Sequence, residues 1–227
     1  MSREELVMPL GEVNVAPMRG GKSDLVILLA NKHHLAGGGR TVFIKPSRDT
    51  RDPLGTVRSR SGIELLFPPT IVSTAEEVYE AAREATFCGI DEGHMFPPSL
   101  AAVLYRLRVE HGVHIVYGGL DTTWKNRAFA TTAAVAILPG FKVYKHKAYC
   151  EPCASRTPTA MLNQKLRDST PINILDSTEP TFEVGDAQYR PLCTEHWFQL
   201  TPGSYEALER GLIGIPDRET YWGESPK

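Results

Sequence analysis

Apolar residues in this chain fall into short runs separated by longer stretches of mixed polarity, the pattern of strands and helices taking turns. Glu12-Val-Asn-Val15 alternates as a strand does, and Asp24-Leu-Val-Ile-Leu-Leu-Ala-Asn-Lys-His-His-Leu35 is a long apolar run suited to a buried helix. Thr41–Pro46 reads as a second strand and Thr86–Ile90 as a buried third. Between them, Ser73-Thr-Ala-Glu76 has the spacing of a capping box, opening a helix to about Ala85. Pro98 starts another helix running to about Glu110, and Val113–Leu120 is a fourth strand. Such alternation predicts an α/β fold, a mostly parallel sheet with helices on both faces.

Two segments break the pattern. Ser47 to Pro69 is rich in Arg, Ser, Gly and Pro and is expected to be a loop or weak hairpin, mobile when no ligand is bound. Beyond Phe141 the strands become short and basic, which sets a domain boundary near residue 140. The expected organisation is a sheet domain over 1–140, a smaller unit over 141–203 and a peripheral tail over 204–227.

Composition narrows the function classes. A chain of 227 residues can bury a substantial core, and its net charge of −2 argues against a protein that coats DNA. Apolar residues make up 41% of the chain, yet none of their uncharged runs is long enough to span a bilayer, and Met1-Ser-Arg-Glu-Glu5 does not resemble a signal peptide. The expectation is a soluble cytoplasmic protein with no membrane partner, whose four cysteines are thiols or metal ligands.

The chemistry begins at Ala16-Pro-Met-Arg-Gly-Gly-Lys-Ser23, a phosphate loop with Ala16 where glycine is usual. Arg19, Gly20 and Gly21 would present backbone N–H groups to phosphate oxygens, Lys22 would reach the β and γ phosphates, and the Ser23 hydroxyl would ligate Mg²⁺. The helix that follows aims its positive end at the same anion. The strand Thr86–Ile90 then ends in two acids, at the sheet edge where α/β folds bind ligands. Asp91 is placed to hold Mg²⁺, and Glu92 points the other way, free to act on a substrate hydroxyl.

Cysteine spacing adds a second site. Cys150-Glu-Pro-Cys153 and Cys193-Thr-Glu-His196 form two knuckles, together a Cys₃His set for a structural Zn²⁺ that clamps the intervening loop. A redox Cys-x-x-Cys pair is the competing reading. Cys88, in an apolar strand, reads as a small core residue.

These motifs in order, with Lys45-Pro46-x-x-Asp49-Thr50-Arg51, Gly119-Leu120-Asp121, Phe129 and Tyr189-x-x-x-Cys193 between and after them, resemble the zinc-containing thymidine kinases from about residue 12 to residue 198. The resemblance implies a P-loop, RecA-like domain and a small zinc-bound lasso domain. It implies transfer of the γ-phosphate of ATP to the 5′-hydroxyl of thymidine or deoxyuridine, with Glu92 as general base. Asp49 and Arg51 match residues near the transferring phosphate; Met18, Leu120, Trp124 and Phe129 match positions lining the base pocket; Tyr189 matches a tyrosine that closes over the substrate. A homo-oligomer, dimer or tetramer, and feedback inhibition by dTTP are implied as well.

Departures cluster at the substrate. His94 and Met95 stand where the family has Gln and an aromatic, Trp124 stands where Phe is usual, and either Thr157 or Thr159 could serve as the threonine of the substrate loop. An imidazole at His94 could titrate near neutral pH, as an amide cannot. Two other readings therefore stay open. One is a kinase for a 5-modified pyrimidine deoxynucleoside; the other is an ATP-switched protein whose knuckles form a nucleic-acid-binding zinc ribbon, against which the charge balance counts.

Overall fold

The computed structural model describes residues 10–51, 55–154, 156–183 and 188–217. Met1–Glu5, positions 52–54 of the Arg/Ser/Gly/Pro segment, and 218–227 of the tail lie outside the described residues.

Strand β1 (Gly11–Val15) runs through the glycine loop into helix α1 (Lys22–Leu35). Then come β2 (Thr41–Pro46), β3 (Thr70–Val72), α2 (Ala75–Ala82), β4 (Phe87–Ile90), α3 (Leu100–His111), β5 (His114–Gly119), α4 (Ala130–Ala136) and β6 (Phe141–Lys145). The six strands form one parallel sheet in the order β3-β2-β4-β5-β1-β6. Its period-two pattern sorts side chains between two layers. Val42, Ile44, Cys88, Ile90, Ile115 and Tyr117 pack with α2, α3 and α4, while Phe43, Phe87 and Val116 pack with α1. Parallel pairing sets the C-terminal ends of β1, β4 and β5 side by side, so the loops that follow them open onto one edge.

The chain leaves this sheet at Lys145, five residues past the expected boundary, because β6 pairs with β1 from Gly11↔Phe141 to Val15↔Lys145. A second sheet follows, antiparallel and ordered β8-β7-β9, from β7 (Leu162–Arg167), β8 (Thr170–Pro171) and β9 (Gln188–Leu192). Helices α5 (Thr194–Leu200) and α6 (Ser204–Glu209) pack on it around the buried Trp197, Leu162 and Leu192.

Three sequence expectations need revision. The capping box is Thr74 with Glu77, one residue later: Glu77 N–H donates to Thr74 Oγ1 at 3.2 Å, and Thr74 N–H to Glu77 Oε2 at 3.1 Å. Ser73 and Glu76 have the same spacing, but the observed frame turns Ala75, Val78 and Ala82 inward. In its described part, Ser47–Pro69 takes the hairpin alternative, but as a hairpin held by hydrogen bonds to α1 and not a loose one. Val57 to Leu65 forms a hairpin (Ser59 N–H to Ile63 O 2.9 Å, Leu65 N–H to Val57 O 3.0 Å), and α1 clamps it: the Ser61 hydroxyl donates to Asp24 Oδ1 at 2.6 Å, and Asn31 bonds Glu64 O and Leu66 N–H. The tail is not peripheral as far as 217, since Ser204, Ala207 and Asp217 are buried and the Asp217 N–H donates to Ala128 O at 2.9 Å.

Candidate active site

The loop after β1 turns through two left-handed residues, Arg19 (φ 64°) and Gly21 (φ 77°), and Gly21 is the N-cap of α1. Gly20 is required by space: a Cβ there would lie 2.5 Å from the Cβ of Ala16. Lys22 and Ser23 then fall in the first turn of α1, and the Ser23 hydroxyl donates to Asp91 Oδ1 at 3.1 Å. That bond joins the loop after β1 to the acid after β4. A hydroxyl and a carboxylate this close are hard oxygen donors of the kind Mg²⁺ takes.

Behind them lies a line of charges. Arg51 forks onto Asp49 (Nε to Oδ1 2.6 Å, Nη2 to Oδ2 2.9 Å) and reaches Glu92 Oε1 at 2.6 Å; Lys22 Nζ lies 3.9 Å from the same oxygen, and Lys45 Nζ lies 3.6 Å from Asp49. Glu92 is therefore not free, as its place after the strand suggested. It adopts φ 50° and turns into the charge line. Burial by itself would push Glu92 up, but Lys22 and Arg51 outweigh that and hold its carboxyl below the usual carboxylate range. Asp91 moves the other way, pushed up to about 6 by burial and by the Glu92 charge.

Two adjoining cavities open on this line. A groove over the glycine loop is lined by Met18, Arg19, Gly20, Gly21, Lys22, Ser23, Asp49, Arg51, Asp91, Glu92 and the hairpin residues 57–61. A more apolar cavity beside it is lined by Met18, His94, Met95, Leu120, Trp124, Phe129 and Tyr189, and by the polar ends of Lys22, Arg51 and Glu92. Lys22, Arg51 and Glu92 thus face both.

His94 does not titrate near neutral pH. Its ring is 2% exposed, and burial pushes it down to about 4 against the pull of Glu92. The Leu120 N–H donates to Nδ1 at 3.2 Å, which puts the proton of the neutral ring on Nε2, and the 3.5 Å contact of Nδ1 with Glu92 is no ion pair. The imidazole packs edge-on to Phe129 and Phe182, with ring centroids 4.6 and 5.3 Å away.

The second sheet supplies the far wall. Asn163 of β7 accepts the Met18 N–H at 2.9 Å, tying the glycine loop to it. The Trp124 indole N–H donates to Pro180 O at 3.1 Å, and buried Lys165 holds Glu179 at 3.1 Å and Glu183 at 2.8 Å, so the arm 179–183 is fixed against the cavity. At the base of this unit, Cys150, Cys153, Cys193 and His196 bring their ligand atoms within 4.8 Å of one another. Four of the six separations among them, 3.1 to 3.6 Å, are close to the edges of a tetrahedron with Zn–S of about 2.3 Å and Zn–N of about 2.0 Å. Cys193 caps α5 and so presents His196 one turn on. Thr159 donates its hydroxyl to Cys153 Sγ at 3.5 Å, which sets it at the knuckle. Cys88 lies apart in the core, its thiol pushed up to about 12 by burial.

The sequence profile of the thymidine kinase family matches residues 11–197, which takes in the glycine loop, the charge line and both knuckles. The chain belongs to the thymidine kinase family. Among curated relatives it is similar to thymidine kinases of Mycoplasmoides gallisepticum (26% identical; 82% of this chain, 79% of that one) and Coprothermobacter proteolyticus (28%; 82% and 88%). It is also 26% identical to the thymidine kinase of Enterobacteria phage T4, over 82% of this chain and 94% of the phage protein.

Several cavity residues of this thymidine kinase family member carried no sequence signal. Arg60, Thr122, Thr123, Asn163, Thr181 and Phe182 line the apolar cavity, yet none belongs to a spaced motif. Asn163 and Phe182 reach it only because the second sheet folds back on the loop ends of the first. Among the described residues, no helix is long and apolar enough to cross a membrane.

Proposed function

We propose that ATP lies along the groove over the glycine loop, that a pyrimidine deoxynucleoside fills the apolar cavity, and that the 5′-hydroxyl of thymidine takes the γ-phosphate. The observation that carries this reading is the Glu92 carboxylate, which lines both cavities and is held by Arg51 at 2.6 Å. Lys22 would hold the β and γ phosphates, and Arg19 with the backbone of Gly20 and Gly21 would follow the chain of phosphates. Ser23 and Asp91 would hold Mg²⁺, which when bound would supply charge to neutralise the phosphates. Glu92, ionised, orients the 5′-hydroxyl and takes its proton as the new O–P bond forms; Asp49 keeps Arg51 turned toward the transfer point. Leu120, Met95 and Phe129 would sandwich the base, with Tyr189 closing over it.

Zinc in the Cys₃His cluster is structural in this reading, because all four positions are protein ligands. It would fix the two ends of the segment that carries Asn163, Phe182 and Tyr189. The division into a sheet domain and a lasso domain, oligomerisation, dTTP feedback and a cytoplasmic site of action belong to the same reading and rest on the family.

Phosphorylation of thymidine, deoxyuridine, 5-hydroxymethyl-deoxyuridine and deoxycytidine by ATP and Mg²⁺, with Lys22→Ala as blank, tests the proposal. Thymidine is expected to lead. The specific rival is a 5-modified pyrimidine, favoured by the His94 Nε2 proton, which has no hydrogen-bond acceptor among the described residues. A 5-hydroxymethyl substrate outrunning thymidine would establish that rival.

A further inference from the structure

We infer that Arg60, at the tip of the hairpin over the glycine loop, contacts the transferring phosphoryl group and is a second catalytic arginine beside Arg51. The inference rests on the two-cavity reading above. Arg51 is the arginine that sequence motifs single out, but its guanidinium is already committed, forked onto Asp49 and bonded to Glu92. Two carboxylates largely offset its charge, which leaves part of the charge of the transferring group for another cation to meet.

Arg60 is the opposite case. No carboxylate lies within ion-pair distance of it among the described residues, and it lines the groove over the glycine loop, the apolar cavity, and a third cleft that it shares with Arg19 and Arg190. It therefore sits at the junction where donor and acceptor must meet. Burial first, and then the charges of Arg51 and Arg19, lower its pKa, with Glu92 opposing. Arg19 is paired with Glu151 and Arg51 with Asp49 and Glu92, so Arg60 is the groove arginine whose charge no described carboxylate pairs at short range, and a triphosphate is the anion that the groove would take.

The hairpin is built to hold Arg60 there. Its backbone closes tightly (Gly62 N–H to Ser59 O 3.0 Å), Ser59 Oγ accepts the Ile63 N–H at 3.0 Å, and Ser61 and Glu64 are bonded to Asp24 and Asn31 of α1. The helix that follows the phosphate loop thus also anchors the strap that crosses it. In the transfer step, the nucleoside 5′-oxygen bonds to the γ-phosphorus while the bond from phosphorus to the β,γ-bridging oxygen breaks. The electron pair leaves on ADP, the hydroxyl proton passes to Glu92, and Arg60 donates N–H bonds to equatorial oxygens of the moving group.

Arg60→Ala and Arg60→Lys test this. With thymidine and saturating ATP–Mg²⁺, Arg60→Ala is expected to lose about 10²-fold in kcat, with the thymidine KM changed by less than about threefold and part of the rate restored in Arg60→Lys. A second readout needs no turnover: ADP, Mg²⁺ and aluminium fluoride should raise the melting temperature above ADP and Mg²⁺ alone in the wild type, and that increment should vanish in Arg60→Ala while the ADP increment stays. An unchanged kcat, a loss confined to the thymidine KM, or a retained fluoride increment would overturn the role. If no nucleoside is turned over, the fluoride increment alone decides for or against Arg60, and the failure counts against the proposed substrate.

Discussion

Gly93 offers a sharp test of how the core holds the reacting carboxylate. Replacing it by alanine adds one methyl, and that Cβ would lie 2.1 Å from Tyr117 Cε2 and 2.6 Å from Tyr117 Cζ. Normal carbon contacts begin at about 3.5 Å, so roughly 1.4 Å of overlap must be relieved. The ring cannot swing clear: Tyr117 is 0% exposed, and its hydroxyl bonds Thr132 Oγ1 at 2.8 Å, which in turn donates to Leu120 O at 2.7 Å. The relief must come from the chain at 92–94, which carries Glu92. Overpacking of this kind costs about 1–3 kcal/mol, or about 2–12 °C of melting temperature in a protein of this size. A shift of about 1 Å in Glu92 would cost about 10²-fold in kcat. Calorimetry and thymidine turnover of Gly93→Ala measure both, and a Tyr117→Leu partner closes the cycle. The double variant should lose less stability than the sum of the single losses, since the shorter side chain frees the space. Strict additivity, or a Gly93→Ala protein that melts within about 1 °C of wild type at full rate, would refute the wedge.

Glu92→Gln should leave nucleoside-induced thermal stabilisation in place and reduce kcat by about 10²–10⁴-fold; parallel loss of affinity and rate would make Glu92 a structural hub only. Metal analysis should find zinc in the wild type and little in Cys193→Ser, with the nucleoside KM rising as the 150–196 segment loosens; full zinc in that variant would dismiss the Cys₃His assignment. The folded His94 pKa of about 4 lies below the unfolded value of 6.5, so the unfolded chain takes up the extra proton in that window. Its contribution is thus complete above pH 6.5 and is lost as pH falls toward 4, by at most about 3 kcal/mol. His94→Gln should accordingly flatten the fall in melting temperature between pH 7 and pH 5, and an unchanged slope would show that folding leaves the ring's pKa at its unfolded value.

Local spacing and periodicity were enough to read the α/β alternation, the phosphate loop, the acid pair after β4 and the two knuckles from sequence. Each is a contract between residues a few positions apart: alternate strand positions face opposite layers, Gly-Lys-Ser must follow a strand and open a helix, and Cys-x-x-Cys and Cys-x-x-His each bring two ligands to one metal. What tertiary structure alone decided depends on pairs far apart in the chain. Ser73/Glu76 and Thr74/Glu77 have equal spacing, and only burial of Ala75, Val78 and Ala82 selects the second. The short edge strand β3 exists because Thr70–Val72 can pair with β2, and a three-residue strand has too little period to announce itself. Glu92 looked free beside its strand, but Arg51, 41 positions earlier, captures it. His94 looked like a neutral-pH titrant until Phe129, Phe182 and the Leu120 N–H enclosed it. Arg60 was one more arginine in a basic loop, and it became a candidate for catalysis only when Asp24 and Asn31 of α1 fastened its hairpin over the phosphate groove.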